Sequence, residues 1–194
     1  MTHELGTYPD RHTFQLKTHY PHPPSRVWAA ITDPEQLAAW FMPIDIELRV
    51  GGRVLLKDYG QEGNAPPAEG RVTALVPEAL LEYHFDKGDW EWPESTLRYE
   101  LSAEADGCAL VFTQVIAADF VPTWRDFAAL QTAGPGTHVP ESSGGWQGFF
   151  QEGLSRFLAG REPPLYDAAD DELMRTRGEQ YRRIVEAKLA SGEW

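Results

Sequence analysis

The sequence predicts an α+β fold that combines an antiparallel sheet with one long C-terminal helix. Three observations predict it: two short helix patterns over residues 24–41, a run of strand patterns over about 44–116, and an amphipathic helix pattern near Trp146. Short strand patterns separated by Pro, Gly and Asp are typical of an antiparallel meander.

The first elements follow from alternation and from helix-end signals. Residues 12–20 alternate in character, with Phe14 and Leu16 on one side, which predicts a half-buried strand. Residues 1–11 are expected to form a loose tail. Pro24 suits a first helical position, and Thr32-Asp33-Pro34-Glu35 ends one helix and caps the next.

The meander is predicted from further strands over 44–49, 53–59, 69–76, 80–85, 95–103 and 108–117, giving about six or seven strands. Within it, Leu97, Tyr99 and Leu101 share one face, as do Leu110, Phe112 and Gln114 on the next strand. We expect these faces to point toward the helices. The segment 119–141 is less regular, with a possible short helix that carries Trp124 and Phe127.

The final helix has the clearest pattern of the chain. Its apolar positions recur at core-facing helical spacing: Trp146, Phe149, Phe150, Gly153, Leu154, Phe157 and Leu158. A break at Arg161-Glu162-Pro163-Pro164 precedes a second helix with a narrower apolar stripe over 173–189. That helix is expected to pack on its own domain, with a homodimer contact or a gate as alternatives.

The segment Pro24–Phe41, followed by the turn at Gly51-Gly52, resembles the START-like (SRPBCC) superfamily. It is most similar to the branch of the activators of the heat-shock-protein-90 ATPase. The resemblance covers about residues 12–160 and implies the helix-grip fold, in which a curved sheet wraps around the long helix. We therefore expect a helix-grip domain over 1–162 and a helical extension over 163–194.

Composition narrows the possible functions. Lys and Arg number 17 against 30 Asp and Glu, for a formal net charge of −13, which argues against nucleic-acid binding and against docking on an anionic membrane. Cys108 is the single cysteine, so a disulfide within the chain is excluded. No apolar run approaches the ~18 residues that span a bilayer, and the start does not read as a signal peptide. The expected location is the cytoplasm.

The resemblance also implies an apolar cavity between sheet and long helix, as many members bind hydrophobic molecules or lipids there. Ligand pockets are mostly apolar with a few placed polar groups, although any single aromatic residue is more often core than pocket wall. The candidate ligand-binding residues are Trp28, Trp40, Phe41, His84, Tyr99, Phe112, Gln114, Trp124, Phe127, Trp146, Phe149 and Phe150. Trp124 and Phe127 are lid candidates. Gly153 would leave room for a ligand or permit close helix approach.

Chemistry beyond binding has weaker support. Glu82 and His84 would form an acid/base pair only if they faced inward, and the apolar alternative set Leu81, Tyr83 and Phe85 competes for that face. His19-x-x-His22 lacks a third ligand at recognisable spacing, so no metal and no cofactor are expected.

The leading hypothesis is a non-enzymatic domain that binds a hydrophobic or amphipathic small molecule. A co-chaperone-like module acting on a heat-shock-protein-90 homologue is second. An enzyme of the cyclase or hydrolase type is third.

Overall fold

A computed structural model of the chain describes residues 4–57, 67–86, 94–119, 137, 140–162 and 168–194. Within them, eight strands form one curved antiparallel sheet in the order β1-β2-β8-β7-β6-β5-β4-β3. The strands are β1 (Thr7–Asp10), β2 (Thr13–Tyr20), β3 (Ile44–Ile46), β4 (Arg53–Leu56), β5 (Ala68–Val76), β6 (Leu80–Phe85), β7 (Ser95–Glu104) and β8 (Gly107–Ile116). The predicted α+β class, with a helix-grip arrangement, is confirmed.

Two short helices follow β2, as predicted. They are α1 (Pro24–Thr32) and α2 (Pro34–Trp40), each with a proline in its first turn. The carboxylate of Asp33 caps α2 by accepting the Gln36 N–H at 3.0 Å. Trp40 then turns back onto α1, where its indole N–H donates to the Ala30 carbonyl at 2.9 Å.

The N-terminal segment differs from the prediction. Residues 7–10 are not a loose tail but form β1, which pairs with β2 at the edge of the sheet. Asp10 stabilises the turn between them, because its carboxylate accepts the His12 N–H and the Thr13 hydroxyl. Tyr8 is buried, and its ring lies 6.0 Å from that of Tyr181, far away in sequence. Such a long-range contact is invisible to local sequence patterns.

The helices that follow β8 form two layers on the sheet. The long helix begins at α3 (Pro140–Gly148), passes through a π-helical segment (Phe149–Leu154) and ends in α4 (Ser155–Leu158). It starts six residues before the apolar pattern that predicted it. The last helix, α5 (Ala168–Ser191), packs against α3, and Tyr181 and Val185 of its predicted stripe are fully buried within the chain.

Alternation along the strands decides which side chains meet the long helix. Leu81, Tyr83 and Phe85 of β6 are buried, whereas Glu82 and His84 between them are partly exposed. The same period of two buries the predicted inward sets of β7 and β8. The face toward the long helix is called the inner face below, and the opposite one the outer face.

Candidate functional site

The interface between the inner face and the long helix is packed with aromatic rings from three directions. The sheet contributes Tyr83, Phe85, Tyr99 and Phe112; α2 and the residue after it contribute Trp40 and Phe41; the long helix contributes Trp146, Phe149 and Phe150. The ring of Phe112 lies 4.5 Å from Trp146 and 4.8 Å from Phe150. The rings of Phe41 and Phe149 meet edge to face at 4.7 Å. This aromatic region is the interior site.

The first polar group inside it is a pair of tyrosine hydroxyls. Tyr83 Oη and Tyr99 Oη are 2.7 Å apart, and both residues are buried. Burial raises the pKa of each phenol above its ordinary value, because the charged form would lose its hydration. The pair is therefore neutral around pH 7 and serves only as a hydrogen-bonding group.

A second polar group joins the sheet to the long helix. The indole N–H of Trp146 donates to Gln114 Oε1 at 2.6 Å, and both residues are buried. This bond fixes the plane of the Trp146 ring against Phe112. An apolar wall with a few placed hydrogen-bonding groups is the usual composition of a small-molecule site.

The π-helical segment lies where the long helix meets these rings. The Phe150 carbonyl accepts the hydroxyl of Tyr20 at 2.9 Å, and that of Ser155 at 3.4 Å. Single π-turns inside α-helices are frequent at functional sites. Gly153, in the same segment, permits close approach, because a Cβ there would lie 3.2 Å from the Trp40 carbonyl oxygen.

Ser95 is an interior residue that the sequence analysis missed. It begins β7, it is 1% exposed, and it shares the inner face with Leu97 and Tyr99. Tyr83 was not among the predicted ligand-binding residues either, although it belongs to the apolar set of β6 that was the alternative to Glu82 and His84 for the inner face. The signal for both residues was the period of two, which places every second residue of a strand on the same face.

The structure brings together eight of the twelve predicted residues: Trp40, Phe41, Tyr99, Phe112, Gln114, Trp146, Phe149 and Phe150. Trp28 on α1 is half-buried and packs on the edge of the same core. Trp124 and Phe127 lie outside the described residues.

His84 is on the outer face, so it does not line the interior site. Its Nδ1 lies 3.0 Å from Thr96 Oγ1 and its Nε2 3.3 Å from Glu94 Oε1. Glu82, on the same outer face, accepts hydrogen bonds from Arg98 and Thr73. The hypothesis of an inward acid/base pair is therefore wrong, because the apolar alternation of β6 turns both side chains away.

The outer face carries a charged cleft of about 260 Å³ beside the loop between β3 and β4. Arg49, Arg53 and Arg71 line it together with the three acids Glu47, Glu69 and Asp86. Arg53 pairs with Glu69, and Arg49 donates to Glu47 at 2.7 Å. The lining charges balance, so the cleft has no excess charge to attract an ion.

A third polar cluster lies at the end of β2. His19 Nδ1 is 2.8 Å from Glu104 Oε2, and its Nε2 is 3.6 Å from Asp106 Oδ1. The hydrogen bond from His19 lowers the pKa of Glu104, with a smaller contribution from Lys17. Ligand atoms of these three residues lie within 4.8 Å of one another, so they could hold a cation, but all three are exposed. Lys17 Nζ, 3.6 Å from Glu104, would repel it.

None of the helices in the described part of the chain is both long and apolar enough to cross a membrane.

The fold is that of a START-like domain of the helix-grip type. The chain belongs to the family described as "Activator of Hsp90 ATPase homolog 1-like protein", whose profile matches residues 21–159. That match ends just after the long helix and leaves β1, β2 and α5 outside.

Solved structures share the fold at low sequence identity. CalU16 from Micromonospora echinospora has a TM-score of 0.63 at 22% identity, covering 90% of this chain and 88% of that one. EF2215 from Enterococcus faecalis, described as a conserved protein of unknown function, has a TM-score of 0.65 at 16% identity, covering 94% and 91%. An AHSA1-like protein from Aeromonas hydrophila has 0.53 at 20%, covering 76% and 92%. No curated protein sequence matches the chain.

Proposed function

We propose that this protein binds a hydrophobic or amphipathic small molecule in the interior site, without chemical conversion. The observation that carries the proposal is the composition of that site, where aromatic rings surround the Tyr83–Tyr99 hydroxyl pair and the Gln114–Trp146 pair. Rings supply apolar contact area, and buried neutral groups supply orientation.

Phe149 is the residue through which binding is best tested. It is half-buried, it meets Phe41 edge to face, and it lies 6.0 Å from Trp146. Phe157 is a matched control, since it is a half-buried phenylalanine of the same helix that instead packs under the Arg26 guanidinium at 5.2 Å.

The experiment titrates the protein with N-phenyl-1-naphthylamine, a neutral dye whose fluorescence rises in apolar surroundings. We expect saturable binding, weakened about threefold to tenfold by Phe149→Ala, because an aromatic contact contributes about 0.5–1.5 kcal/mol. Phe157→Ala should change the Kd less than twofold. Native mass spectrometry of the purified protein should also reveal a co-purifying small molecule. Absence of saturable binding, or equal effects of both variants, would contradict the proposal.

A second candidate function is interaction with a heat-shock-protein-90 homologue, which the family description supports. The structural observation that favours it is the loop between β3 and β4, where Leu48 and Val50 are 45% and 63% exposed. Exposed apolar residues beside a charged cleft suit a protein contact. If this function holds, the double change Leu48→Ser, Val50→Ser should abolish stimulation of the partner's ATPase, whereas Val76→Ser, at another exposed turn, should not.

A further inference from the structure

The Ser95 hydroxyl is the one polar side chain of the described inner face of β7 without a bonding partner. The residue is 1% exposed, and its Oγ makes no hydrogen bond among the described residues. Buried hydroxyls nearly always have a partner, so an unpartnered one calls for an explanation. A ligand atom at the interior site would supply the missing partner.

The position of Ser95 in the sheet places it beside the other polar groups of the site. It is paired with Phe85 on β6 and with Ile116 on β8. Tyr83 and Gln114 are therefore its diagonal neighbours on the same face, at a spacing of about 7–8 Å between backbones. Three strands thus each contribute one neutral hydrogen-bonding group to this part of the inner face.

The charge of the surroundings limits the ligand class. Among the described residues, the inner faces of β5 to β8 and the sheet-facing side of the long helix carry no Lys, Arg, His, Asp or Glu. Arg177, the one charged residue that is buried in the described part of the chain, lies on α5 and pairs with Glu152. A carboxylate or ammonium group of a ligand would lose its hydration here without gaining a counter-ion.

We propose that Ser95 hydrogen-bonds a neutral oxygen, a carbonyl or hydroxyl, of a small molecule with an aromatic or otherwise apolar body. This inference rests on the proposed function and specifies its ligand class. A serine hydroxyl can donate to either oxygen and can also accept from a hydroxyl. We therefore expect neutral ligands to bind more tightly than fatty acids and other anionic amphiphiles.

The test uses three probes of one ring system at pH 7, each measured by displacement of N-phenyl-1-naphthylamine: naphthalene, the neutral 2-naphthol and the anionic 2-naphthoate. We expect 2-naphthol to bind about tenfold more tightly than naphthalene, the equivalent of one hydrogen bond, and 2-naphthoate to bind most weakly.

Ser95→Ala should weaken 2-naphthol binding about tenfold and change naphthalene binding less than twofold. Ser102→Ala, on the exposed part of the same strand, should change neither. The melting temperature of Ser95→Ala should not fall, because the substitution removes a hydroxyl that has no partner.

Three results would overturn the inference and leave the proposed function intact: equal naphthalene and 2-naphthol affinities, no selective loss in Ser95→Ala, or tightest binding of 2-naphthoate. A fall in the melting temperature of Ser95→Ala would also overturn it, since it would mean that the hydroxyl stabilises the fold. If the dye binds saturably but none of the probes displaces it, the inference alone fails. If the dye itself does not bind saturably, both the inference and the proposed function fail.

Discussion

The two packed sides of the long helix differ in how their polar groups are bonded. Toward the sheet, Trp146, Phe150 and Leu154 meet aromatic and aliphatic side chains, and the polar groups are few. Toward α5, Gln147 and Gln151 belong to a continuous hydrogen-bond chain. Ring contacts tolerate small shifts, whereas a closed chain of directional bonds fixes one arrangement. The sheet-facing side is the side on which we propose that the ligand binds.

The series of hydrogen bonds begins and ends in the N-terminal segment and passes through α5 and the long helix. The Gly6 N–H donates to Tyr181 Oη at 2.8 Å, and that hydroxyl donates to Gln147 Oε1 at 2.9 Å. The Gln147 amide donates to Gln151 Oε1 at 2.9 Å, and the Gln151 amide donates to the Glu4 carbonyl at 2.8 Å. These four hydrogen bonds thereby join the N-terminal segment, the long helix and α5.

The largest expected effect lies on the sheet-facing side, at Phe150. Its ring is 1% exposed and contacts Phe112, Trp40 and Trp146. Phe150→Ala should lower the free energy of unfolding by about 3–5 kcal/mol, because it removes a large buried side chain and leaves a cavity. Urea unfolding followed by circular dichroism measures this loss. A loss no larger than that of Phe157→Ala would mean that the aromatic side is not the main core.

The next prediction compares the loss of one tyrosine hydroxyl on each side of the long helix. Tyr181→Phe leaves two buried groups without their partner, the Gly6 N–H and Gln147 Oε1, and should cost about 2–3 kcal/mol. Tyr83→Phe leaves only the Tyr99 hydroxyl and should cost about 1 kcal/mol. Both are measured by urea unfolding, and the Gly6 amide should exchange faster with solvent in Tyr181→Phe. A larger loss of unfolding free energy in Tyr83→Phe than in Tyr181→Phe would contradict the proposed difference in hydrogen bonding between the two sides.

A smaller effect is expected at the ion pair between Glu152 of the π-helical segment and Arg177 of α5. Glu152→Gln leaves a buried guanidinium without its carboxylate and should cost about 1–3 kcal/mol, less than a fully buried pair because Glu152 is partly exposed. The double variant Glu152→Met, Arg177→Met should recover most of this stability in thermal unfolding. No recovery would show that Arg177 stabilises the helix contact by another route.

The smallest effect is a pH dependence at the surface cluster of Glu104, His19, Lys17 and Asp106. The pKa of Glu104 is lowered by its hydrogen bond with His19, so its contribution to stability is present above the unfolded pKa, near 4.5, and is lost as pH falls through the folded value. Unfolding at a series of pH values should show a difference between the protein and Glu104→Gln that shrinks below about pH 4.5. Glu186→Gln, an exposed change on α5, should show no such trend.

The sequence predicted the fold class and the aromatic part of the interior site because both follow from local periodicity. Helical spacing placed Trp146 and Phe150 on one side, and alternation placed Tyr99, Phe112 and Gln114 on another. The sequence-based prediction failed where contacts between residues that are far apart in the sequence determine the structure. Tyr8 packs against Tyr181 of α5, a contact that local sequence patterns do not reveal. The sequence therefore predicted a loose tail where β1 forms. An inward His84 was an open alternative, but the burial of its apolar neighbours in β6 places His84 on the outer face. Ser95 was not predicted because the inward set of its strand was drawn from Leu97 onward, although Ser95 continues the same period of two.

The contact between Gly6 and Tyr181 also constrains the order of folding during synthesis. The two residues are 175 positions apart, so the segment that precedes β1 cannot make this bond until α5 has been synthesised. Pairing of β2 with β8 must likewise wait, since its partners are about 90 residues or more apart. The emerging chain therefore exposes the β8-facing edge of β2 and the apolar face of this strand until β8 has been synthesised. Chaperone binding should be strongest on nascent chains that end before β8.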